Sequence, residues 1–437
     1  MTRFCRLGLL LGVLACHDSP DAPQVTPAFR LHGTSVWSGS QLQIMATGLG
    51  RGAVPKVLVG SVAVPVSRMN DTTLTLTVPA VLGSVPVVAI AGRDTVNVGS
   101  ITVAGFDRVT TVPGLLGVVS PVAGQVNTVI GNGDTGLAIV NVETGAMTTY
   151  PKSVNSAECN WGPGVTSNGD EFLFARMQSD SFFPCRAELW STTPSLHVVD
   201  SNPGAPAADR ITAGLASGRW VGTTHNFITL ENLVALRDTI ISGNTDRVMI
   251  SPRGDRAAMN FCCFVGVPVL DASSATVAYR LDTYFAQSQG AVFSPAGDTL
   301  FVVAGDSASV YPGGVHYILL ALRASDGLIL DSTSFAIGTP GAVALDPGGR
   351  WIYVSGIQGL GTTRVAATLM VFDRATLAPV ATLNSDTADV SSRVHISHLI
   401  VLDPASHHGY IIDTGIIHNI VSFPFQEIAA VFRFTIP

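Results

Sequence analysis

Histidine is the residue type in this chain whose distribution could indicate a reactive or metal-binding site. Five of the ten histidines lie near the carboxyl end, at His395, His398, His407, His408 and His418. Imidazole nitrogens bind metal ions and transfer protons near neutral pH. Residues three apart on a strand point to opposite faces, so we expect His395 and His398 to be separated, and we place His407 and His408 in an exposed turn. We therefore predict no metal site and interpret these histidines as solvated or packing residues.

Motifs of other chemistry do not accompany the histidines. The sequence contains no G-x-S-x-G motif, which would hold a serine nucleophile. The run Gly131-Asn-Gly-Asp-Thr-Gly136 lacks the lysine and the following helix of a phosphate loop and is typical of a β-turn. The turns around Asp134, Asp170 and Asp298 contain acidic residues, but none has the D-x-[DN]-x-[DN]-G spacing of a calcium loop. We predict no catalytic residue and no cofactor.

The first residues have the pattern of an export signal. Arg3 and Arg6 precede the apolar segment Leu7–Leu14. The run Val13-Leu-Ala-Cys16 resembles the lipobox of bacterial lipoproteins, and the resemblance implies that Cys16 receives a lipid after residues 1–15 are removed. Cleavage as an ordinary signal peptide is the alternative. We expect residues 16–24 to be a polar tether, and the lipid to be the only attachment to the membrane, on the periplasmic or surface side of the outer membrane.

Four cysteines lie beyond the leader and Cys16, at Cys159, Cys185, Cys262 and Cys263. An exported chain enters an oxidising compartment, where disulfides form. We predict a bridge between Cys159 and Cys185, which would cross one hairpin. The adjacent Cys262 and Cys263 form either a strained vicinal disulfide or two buried thiols. A zinc site would need a C-x-x-C pair with histidine partners, and the sequence has none.

Composition indicates buried β-structure and excludes two classes of protein. The 437 residues are 47% hydrophobic and only 13% charged, which is enough for large cores. The longest uncharged apolar run, Leu7–Ala15, is too short to span a bilayer, so we expect no transmembrane helix. The formal net charge is −7 and the arginines are scattered, whereas nucleic-acid binding needs a basic stripe. We expect no nucleic-acid partner.

A repeated turn organises most of the chain. It occurs as Ser251-Pro-Arg-Gly-Asp255, Ser294-Pro-Ala-Gly-Asp298 and Asp346-Pro-Gly-Gly-Arg350, each between two apolar strands. Proline sets φ for the second turn position, and glycine adopts the conformation that other residues avoid. Weaker copies begin at Ser120, Ser167, Ser217 and Asp403, which makes seven copies with spacings of 47, 50, 34, 43, 52 and 57 residues.

This period predicts a β-propeller. Short strands that repeat with a period in the 40s or low 50s of residues are typical of propeller blades, because one four-stranded sheet cannot bury both faces without neighbours. We predict seven blades over residues 105–437. We also predict that Asp107–Val112 pairs with Ala429–Ile436, so that the two ends of the propeller close the ring.

Two of the repeats resemble a known family. Gly349-Arg-Trp-Ile-Tyr-Val-Ser-Gly356 and Thr368–Leu383 are similar to the YVTN-type repeat, with its inner Y-V-x-N strand and outer V-x-D-x-x-T hairpin. Asp298–Ala304 with Ala324–Gly327 repeats the pattern in the preceding blade. The resemblance supports a propeller and implies nothing specific about a ligand.

Residues 25–104 have the pattern of a smaller all-β domain. Alternating apolar residues predict five strands, followed by a turn at Ala91–Asp94 into a sixth, and the five lie at Gln41–Ala46, Lys56–Val59, Ser61–Val66, Thr73–Val78 and Val85–Ile90. Val57-Leu-Val-Gly60 and Asn70–Pro79 resemble the IPT/TIG domain, which implies a structural or binding module without catalysis. The predicted fold is all-β: an immunoglobulin-like β-sandwich followed by a seven-bladed β-propeller.

The predicted function is that of a lipid-anchored binding or scaffold protein of the cell envelope. We expect a monomer whose partner is an envelope protein or glycan. The alternative is a propeller hydrolase resembling the lactonase-like relatives of these repeats, which would need charged residues from several inner strands to meet at the axis. A quinone-cofactor dehydrogenase is disfavoured, because such propellers have a tryptophan docking motif in each blade and this chain has five tryptophans.

One rim of the propeller is the predicted partner site. The connections from the second to the third strand of each blade share a face with the connections between blades, and function resides on loops held by a rigid scaffold. The longest within-blade connections are predicted at 176–186, 304–316 and 355–364. Aromatic residues and arginine are frequent at interfaces, and these loops contain Phe182, Phe183, Tyr311, His316, Gln358 and Arg364.

Overall fold

The computed structural model describes most of the chain from residue 27 onward. The described residues are 27–49, 54–70, 72–121, 127–133, 136–151, 164–165, 171–177, 185–191, 197–202, 219–221, 226–229, 235–238, 244–262, 268–271, 276–281, 285–306, 317–337, 339–359, 364–389, 394–416 and 428–437. Within these ranges every regular element is a β-strand. No helix in them is long and apolar enough to cross a membrane. The leader and tether predicted over residues 1–24 lie outside the described residues.

Nine strands form an immunoglobulin-like sandwich. The first sheet has the strand order β1-β3-β7-β6, and its strands are β1 (Ala28–Leu31), β3 (Gln41–Thr47), β7 (Thr73–Thr77) and β6 (Val66–Asn70). The second sheet has the order β2-β9-β8-β4-β5, and its strands are β2 (Ser35–Trp37), β9 (Asp94–Ala104), β8 (Gly83–Ala91), β4 (Lys56–Val59) and β5 (Val62–Val64). All pairs are antiparallel except β2 with β9, which is parallel.

The sandwich differs from the predicted strands at one informative place. The sequence predicts one strand over Ser61–Val66, but the structure has two, β5 and β6, which lie in different sheets on either side of Pro65. Proline has no backbone N–H for the ladder, so the chain leaves one sheet there and enters the other. Alternation elsewhere is strict: in β3 the buried residues are Leu42, Ile44 and Ala46, and every second residue is exposed.

Seven sheets follow the sandwich and form a propeller. In the order of the chain, the first sheet contains β11 (Leu115–Pro121), β12 (Thr128–Gly133), β13 (Gly136–Asn141) and β14 (Met147–Pro151). The second contains β15 (Gly164–Val165), β16 (Glu171–Met177), β17 (Cys185–Ser191) and β18 (His197–Asn202). The third contains β19 (Arg219–Val221), β20 (Asn226–Thr229) and β21 (Ala235–Asp238). The fourth sheet contains β22 (Asn244–Ile250), β23 (Arg256–Cys262), β24 (Pro268–Asp271) and β25 (Thr276–Arg280). The fifth contains β26 (Phe285–Phe293), β27 (Thr299–Asp306), β28 (Tyr317–Arg323) and β29 (Ile329–Phe335).

The last two sheets complete the ring. The sixth contains β30 (Thr339–Leu345), β31 (Trp351–Gln358), β32 (Arg364–Asp373) and β33 (Pro379–Asp389). The seventh contains β34 (Val394–Asp403), β35 (His408–Ile416), β36 (Ile428–Thr435) and, outermost, β10 (Phe106–Pro113). First strands of neighbouring blades contact one another from the fourth blade to the seventh, and β34 of the seventh blade contacts β11 of the first.

The ring closes as the sequence predicts. β10 pairs antiparallel with β36, from Phe106 opposite Phe434 to Pro113 opposite Ile428. Strands from the two ends of the propeller therefore share one sheet, and the seventh blade leaves neither terminal strand unpaired.

The repeated turns join the first and second strands of their blades. In blades four and five, Ser251 and Ser294 accept a hydrogen bond at their backbone oxygens from the amides of Gly254 and Gly297, both at 2.8 Å. Each of these glycines has φ of 70°, the left-handed conformation that the turn requires. The prediction of one hairpin repeated along the chain is confirmed for these blades.

Apolar residues on both faces of the blades explain why the chain has so little charge. Between blades five and six, one cluster combines Phe301, Val303 and Leu319 with Val354 and Phe372. Middle strands are thus covered on both sides, and their sequences become continuous apolar runs. The sixth blade also packs against the seventh through a cluster that extends into the sandwich.

The sandwich packs on blades six and seven. Trp37, at the end of β2, is almost fully buried and meets the Tyr353 ring edge-on, with centroids 5.9 Å apart. Ala104 lies in the same cluster, together with Phe434 of the seventh blade. An aromatic contact of this kind fixes the sandwich on the propeller, whereas a simple spacer would leave it free to move.

Candidate functional site

Two rims of the propeller are distinguished by their connections. The connection rim contains the links between second and third strands and the links between blades. The turn rim contains the turns between first and second strands and between third and fourth strands. Four of the six predicted partner-binding residues, Phe182, Phe183, Tyr311 and His316, lie outside the described residues. Gln358 and Arg364 are described, at the ends of β31 and β32, and both lie on the connection rim of blade six.

A row of hydrogen-bonding side chains crosses blade six just below that rim. The Gln358 amide donates from Nε2 to the Thr368 hydroxyl at 3.1 Å, and that hydroxyl donates to Asn384 Oδ1 at 2.9 Å. Thr368 is buried while Gln358 is exposed. The row therefore holds one amide at the surface in a fixed orientation, with its oxygen available to a partner.

Arg364 forms the outer part of the same surface. Its guanidinium donates to Thr387 Oγ1 at 2.8 Å and pairs with Asp389 at 3.2 Å. The side chains of Arg364 and Asp389 are 67% and 85% exposed. A pair this exposed contributes about 0–1 kcal/mol to stability, so both charges can turn to a ligand at small cost.

The turn rim contains a denser charged cluster, which we call the clasp: Asp107, Glu143, Tyr410 and Arg433. Arg433 pairs with Asp107 at 3.0 Å and with Glu143, and the Tyr410 hydroxyl also donates to Glu143. Glu143 lies in the last turn of blade one, and the other three residues lie on β10, β35 and β36 of blade seven. The clasp thus connects the first blade to the strand pair that closes the ring.

Charges around Glu143 set its ionisation. Burial is the largest influence and opposes ionisation, but the Tyr410 hydrogen bond and the charge of Arg433 together lower the pKa of Glu143. Burial and the same hydrogen bond raise the pKa of Tyr410, and the hydrogen bond to Asp107 raises that of Arg433. Glu143 is consequently an anion and Tyr410 a neutral donor at physiological pH, which suits a structural contact.

Arginine and tryptophan also meet on the turn rim of blade six. The Arg350 guanidinium lies over the Trp351 ring, 4.2 Å from its centroid, and Arg350 is exposed. The Trp351 ring packs in turn against the cluster that holds Trp37. Sequence reasoning did not select this pair, and no local signal marks it, because adjacent residues on a strand ordinarily point to opposite faces.

The histidines require two corrections. A β-bulge between His395 and Ser397 shifts the register, so that His395 is opposite Gly415 and His398 is opposite Asp413. Residues 413 and 415 are two apart on their strand and lie on the same side of the sheet. The histidine positions opposite them therefore also share a side, and the expectation that alternation separates them was wrong. His407 does lie exposed in its turn, but His408 begins β35 and its ring lies 3.9 Å from Glu143.

The predicted cysteine chemistry lies largely outside the described residues. Cys16, Cys159 and Cys263 are not described, while Cys185 begins β17 opposite Met177 and Cys262 ends β23 opposite Asn244. The bridge between Cys159 and Cys185 stays a prediction. Among the described residues no group of three histidine, cysteine or acidic side chains could hold a metal ion.

Comparison with known proteins identifies the fold. No protein-family model matches the sequence, and no curated protein is similar to it. Among solved structures 981 chains match, and one belongs to "Crystal Structure of Mitotic Checkpoint Complex". That chain is 12% identical, with a TM-score of 0.51 over 75% of this chain and 91% of the other. At this identity the likeness shows the fold alone: this protein is all-β, and its larger part is a β-propeller.

Proposed function

We propose that this protein is a non-catalytic scaffold of the cell envelope, anchored by a lipid on Cys16. Its propeller presents the connection rim to an envelope protein or glycan. The sequence motifs that resemble lipoproteins, IPT/TIG domains and YVTN repeats support this assignment. Propellers are frequently interaction platforms, which agrees with it.

The observation on which the proposal depends is the rigid connection between sandwich and propeller. Trp37 and Ala104 of the sandwich share one core with Tyr353 and Phe434 of blades six and seven. A partner on the connection rim would therefore be held in a defined orientation relative to the segment that precedes the sandwich. An orienting platform needs this rigidity.

The chemistry of the described rim suits a polar partner. Gln358 presents an oriented amide, and Arg364 and Asp389 present planar groups of both charges. Such groups form paired hydrogen bonds with sugar hydroxyls or peptide groups. In our proposal Phe182, Phe183, Tyr311 and His316 supply the aromatic part of the same surface.

The anchor is tested by fractionation and mass spectrometry. We expect the mature chain to begin at a lipidated Cys16 and the Cys16→Ala variant to leave the membrane fraction. An intact leader in membrane fractions, or unchanged attachment of the variant, would contradict the anchor.

The partner site is tested with two probes, isolated envelope glycan in a cosedimentation assay and envelope proteins in quantitative cross-linking. Phe183→Ala, Tyr311→Ala and Gln358→Ala should fold normally and weaken one of the two interactions. Arg374→Ala, an exposed residue on the turn rim, is the matched control. If the three variants bind like wild type and the control does not, the site lies on the other rim. Hydrolysis of lactones by the purified protein would contradict the non-catalytic role.

A further inference from the structure

The start of the outermost strand of blade five and the turn residue before it expose three consecutive apolar residues, which we call the outer patch. Leu328, Ile329 and Leu330 are 51%, 42% and 52% exposed. β29 is the last strand of its sheet, and none of the described strands pairs with its outer side. Natural edge strands are usually protected by charges, prolines or a covering element. An apolar run at such an edge indicates a contact surface.

Blade six shows what covers the same position within this chain. The last turns of the two blades match, because Arg323 donates to the Leu328 carbonyl and Asp373 donates to the Ala378 carbonyl. Leu330 is therefore equivalent to Val380, two residues after Ala378. Val380 is partly buried against the cluster that contains Trp37 of the sandwich. In blade six this position therefore packs against a core to which the sandwich contributes Trp37 and Ala104, whereas in blade five it is exposed.

Charge is distributed unequally between the two parts of the chain. Residues 25–104 contain five lysines and arginines and two acidic residues, a net charge of +3. Residues 105–437 contain 17 basic and 27 acidic residues, a net charge of −10. The exposed carboxylates of Asp331 and of Asp326, which pairs with Arg323 at 3.0 Å, lie beside the outer patch. A cationic, partly apolar β-surface would complement the patch.

The sandwich exposes a surface of this kind, which we call the sandwich patch: Arg30, Met45 and Met69. Arg30 is directly opposite Met45 in the first sheet, and both are exposed. Met45 is opposite Thr73, which is opposite Asn70, the neighbour of Met69. Met45 and Met69 are 49% and 61% exposed. Flexible thioether side chains adapt readily to an apolar partner surface.

We propose that the outer patch of one molecule binds the sandwich patch of a second copy, with Asp331 facing Arg30. The contact joins two different surfaces, so it is a head-to-tail contact that can continue into short chains. Only a few residues take part on each side, fewer than in a standard stable interface, so the association is weak and sensitive to salt. This proposal differs from the monomer expected from the sequence.

Sedimentation velocity of the full chain over a concentration series tests the contact. We expect reversible association at low salt that diminishes at high salt. Leu330→Asp and Arg30→Glu should each weaken it by about tenfold, the effect of losing roughly one apolar or charged contact. Combining Arg30→Glu with Asp331→Arg should restore association, because the charge pair is rebuilt with reversed signs.

Met147→Asp is the matched control, since Met147 is an exposed apolar residue on the outer strand of blade one. It should associate like wild type. A chain that is monomeric at every concentration and salt would overturn the proposal. The same holds if Met147→Asp weakens association as much as Leu330→Asp, or if the charge reversal does not restore it.

Discussion

At the scale of single residues, Gly409 shows how tightly the closing blade is packed. A Cβ atom at this position would overlap the ring of Phe434, which also meets Phe106 edge-on at 5.8 Å. Both aromatic residues lie on the paired strands that close the ring. The glycine is therefore required by the close approach of β35 to an aromatic side chain.

We predict that Gly409→Ala lowers the free energy of unfolding by about 1–3 kcal/mol, the cost of overpacking a core. Urea denaturation measures the change. Gly33→Ala is the control, because a Cβ there has nothing within 4 Å, and it should change stability by less than about 0.5 kcal/mol. Equal effects of both substitutions would contradict the packing argument.

Glu143 provides a second test at this scale, through the clasp. Glu143→Gln removes the charge that Arg433 and Tyr410 contact, and we expect a loss of about 1 kcal/mol because the site is partly exposed. Thermal or urea unfolding at pH 7 measures it. Asp331→Asn, an exposed carboxylate outside the clasp, should have no measurable effect.

The pH dependence of the Glu143 contribution follows from its lowered pKa. The ionised carboxylate stabilises the folded state at pH above the ordinary value of 4.5, and this stabilisation is lost as the pH falls through the lowered pKa. The difference between wild type and Glu143→Gln should thus be full at neutral pH and shrink in acid. A difference that stays constant to pH 3 would show that the charge is not responsible.

At the scale of elements, the repeated hairpin depends on a buried serine. Ser294 donates to Asp298 Oδ1 at 2.6 Å and accepts from the amides of Asp298 and Thr299 at 3.2 and 3.1 Å. Ser251 makes the same three contacts with Asp255 and Arg256. The hydrogen bond from Ser294 is the main reason why the pKa of Asp298 is lowered.

We predict that Ser294→Ala destabilises the protein by about 1–2 kcal/mol, because it leaves two backbone amides without their acceptor. It should also raise the pKa of Asp298 toward its ordinary value, which a carboxyl-detected NMR titration would measure. Ser325→Ala, at an exposed serine in the other turn of the same blade, should leave both quantities unchanged.

Irregular elements were harder to predict than regular ones. Turn sequences with proline and glycine at defined positions determine a local conformation, so the hairpins of blades four, five and six could be predicted from a few residues each. The bulge after His395 and the change of sheet at Pro65 depend on how neighbouring strands pair. Local sequence does not specify a bulge, because the extra residue is defined only relative to the partner strand.

At the scale of the whole molecule, Trp37 joins the two parts of the fold. Its ring is 1% exposed, and its Nε1 is a buried atom for which the described residues offer no hydrogen-bond partner. The contribution of this side chain therefore comes from ring packing against Tyr353, and its N–H adds little.

We predict that Trp37→Ala costs about 3–5 kcal/mol and separates the unfolding of the sandwich from that of the propeller. Calorimetry should show one transition in wild type and two in the variant. Trp37→Phe keeps an aromatic ring and should retain a single transition. Two transitions in wild type would mean that the contact does not couple the two parts.

The sequence by itself determined the all-β class, the seven blades and the pairing of the first and last propeller strands. Apolar alternation and a turn that recurs along the chain are local or periodic signals, and they are present in the order of the residues. Only the tertiary structure decided that Glu143 meets Arg433 and that Trp37 enters the core of blades six and seven. These contacts join residues 290 and more than 300 positions apart, and their partners are chosen by how whole sheets pack.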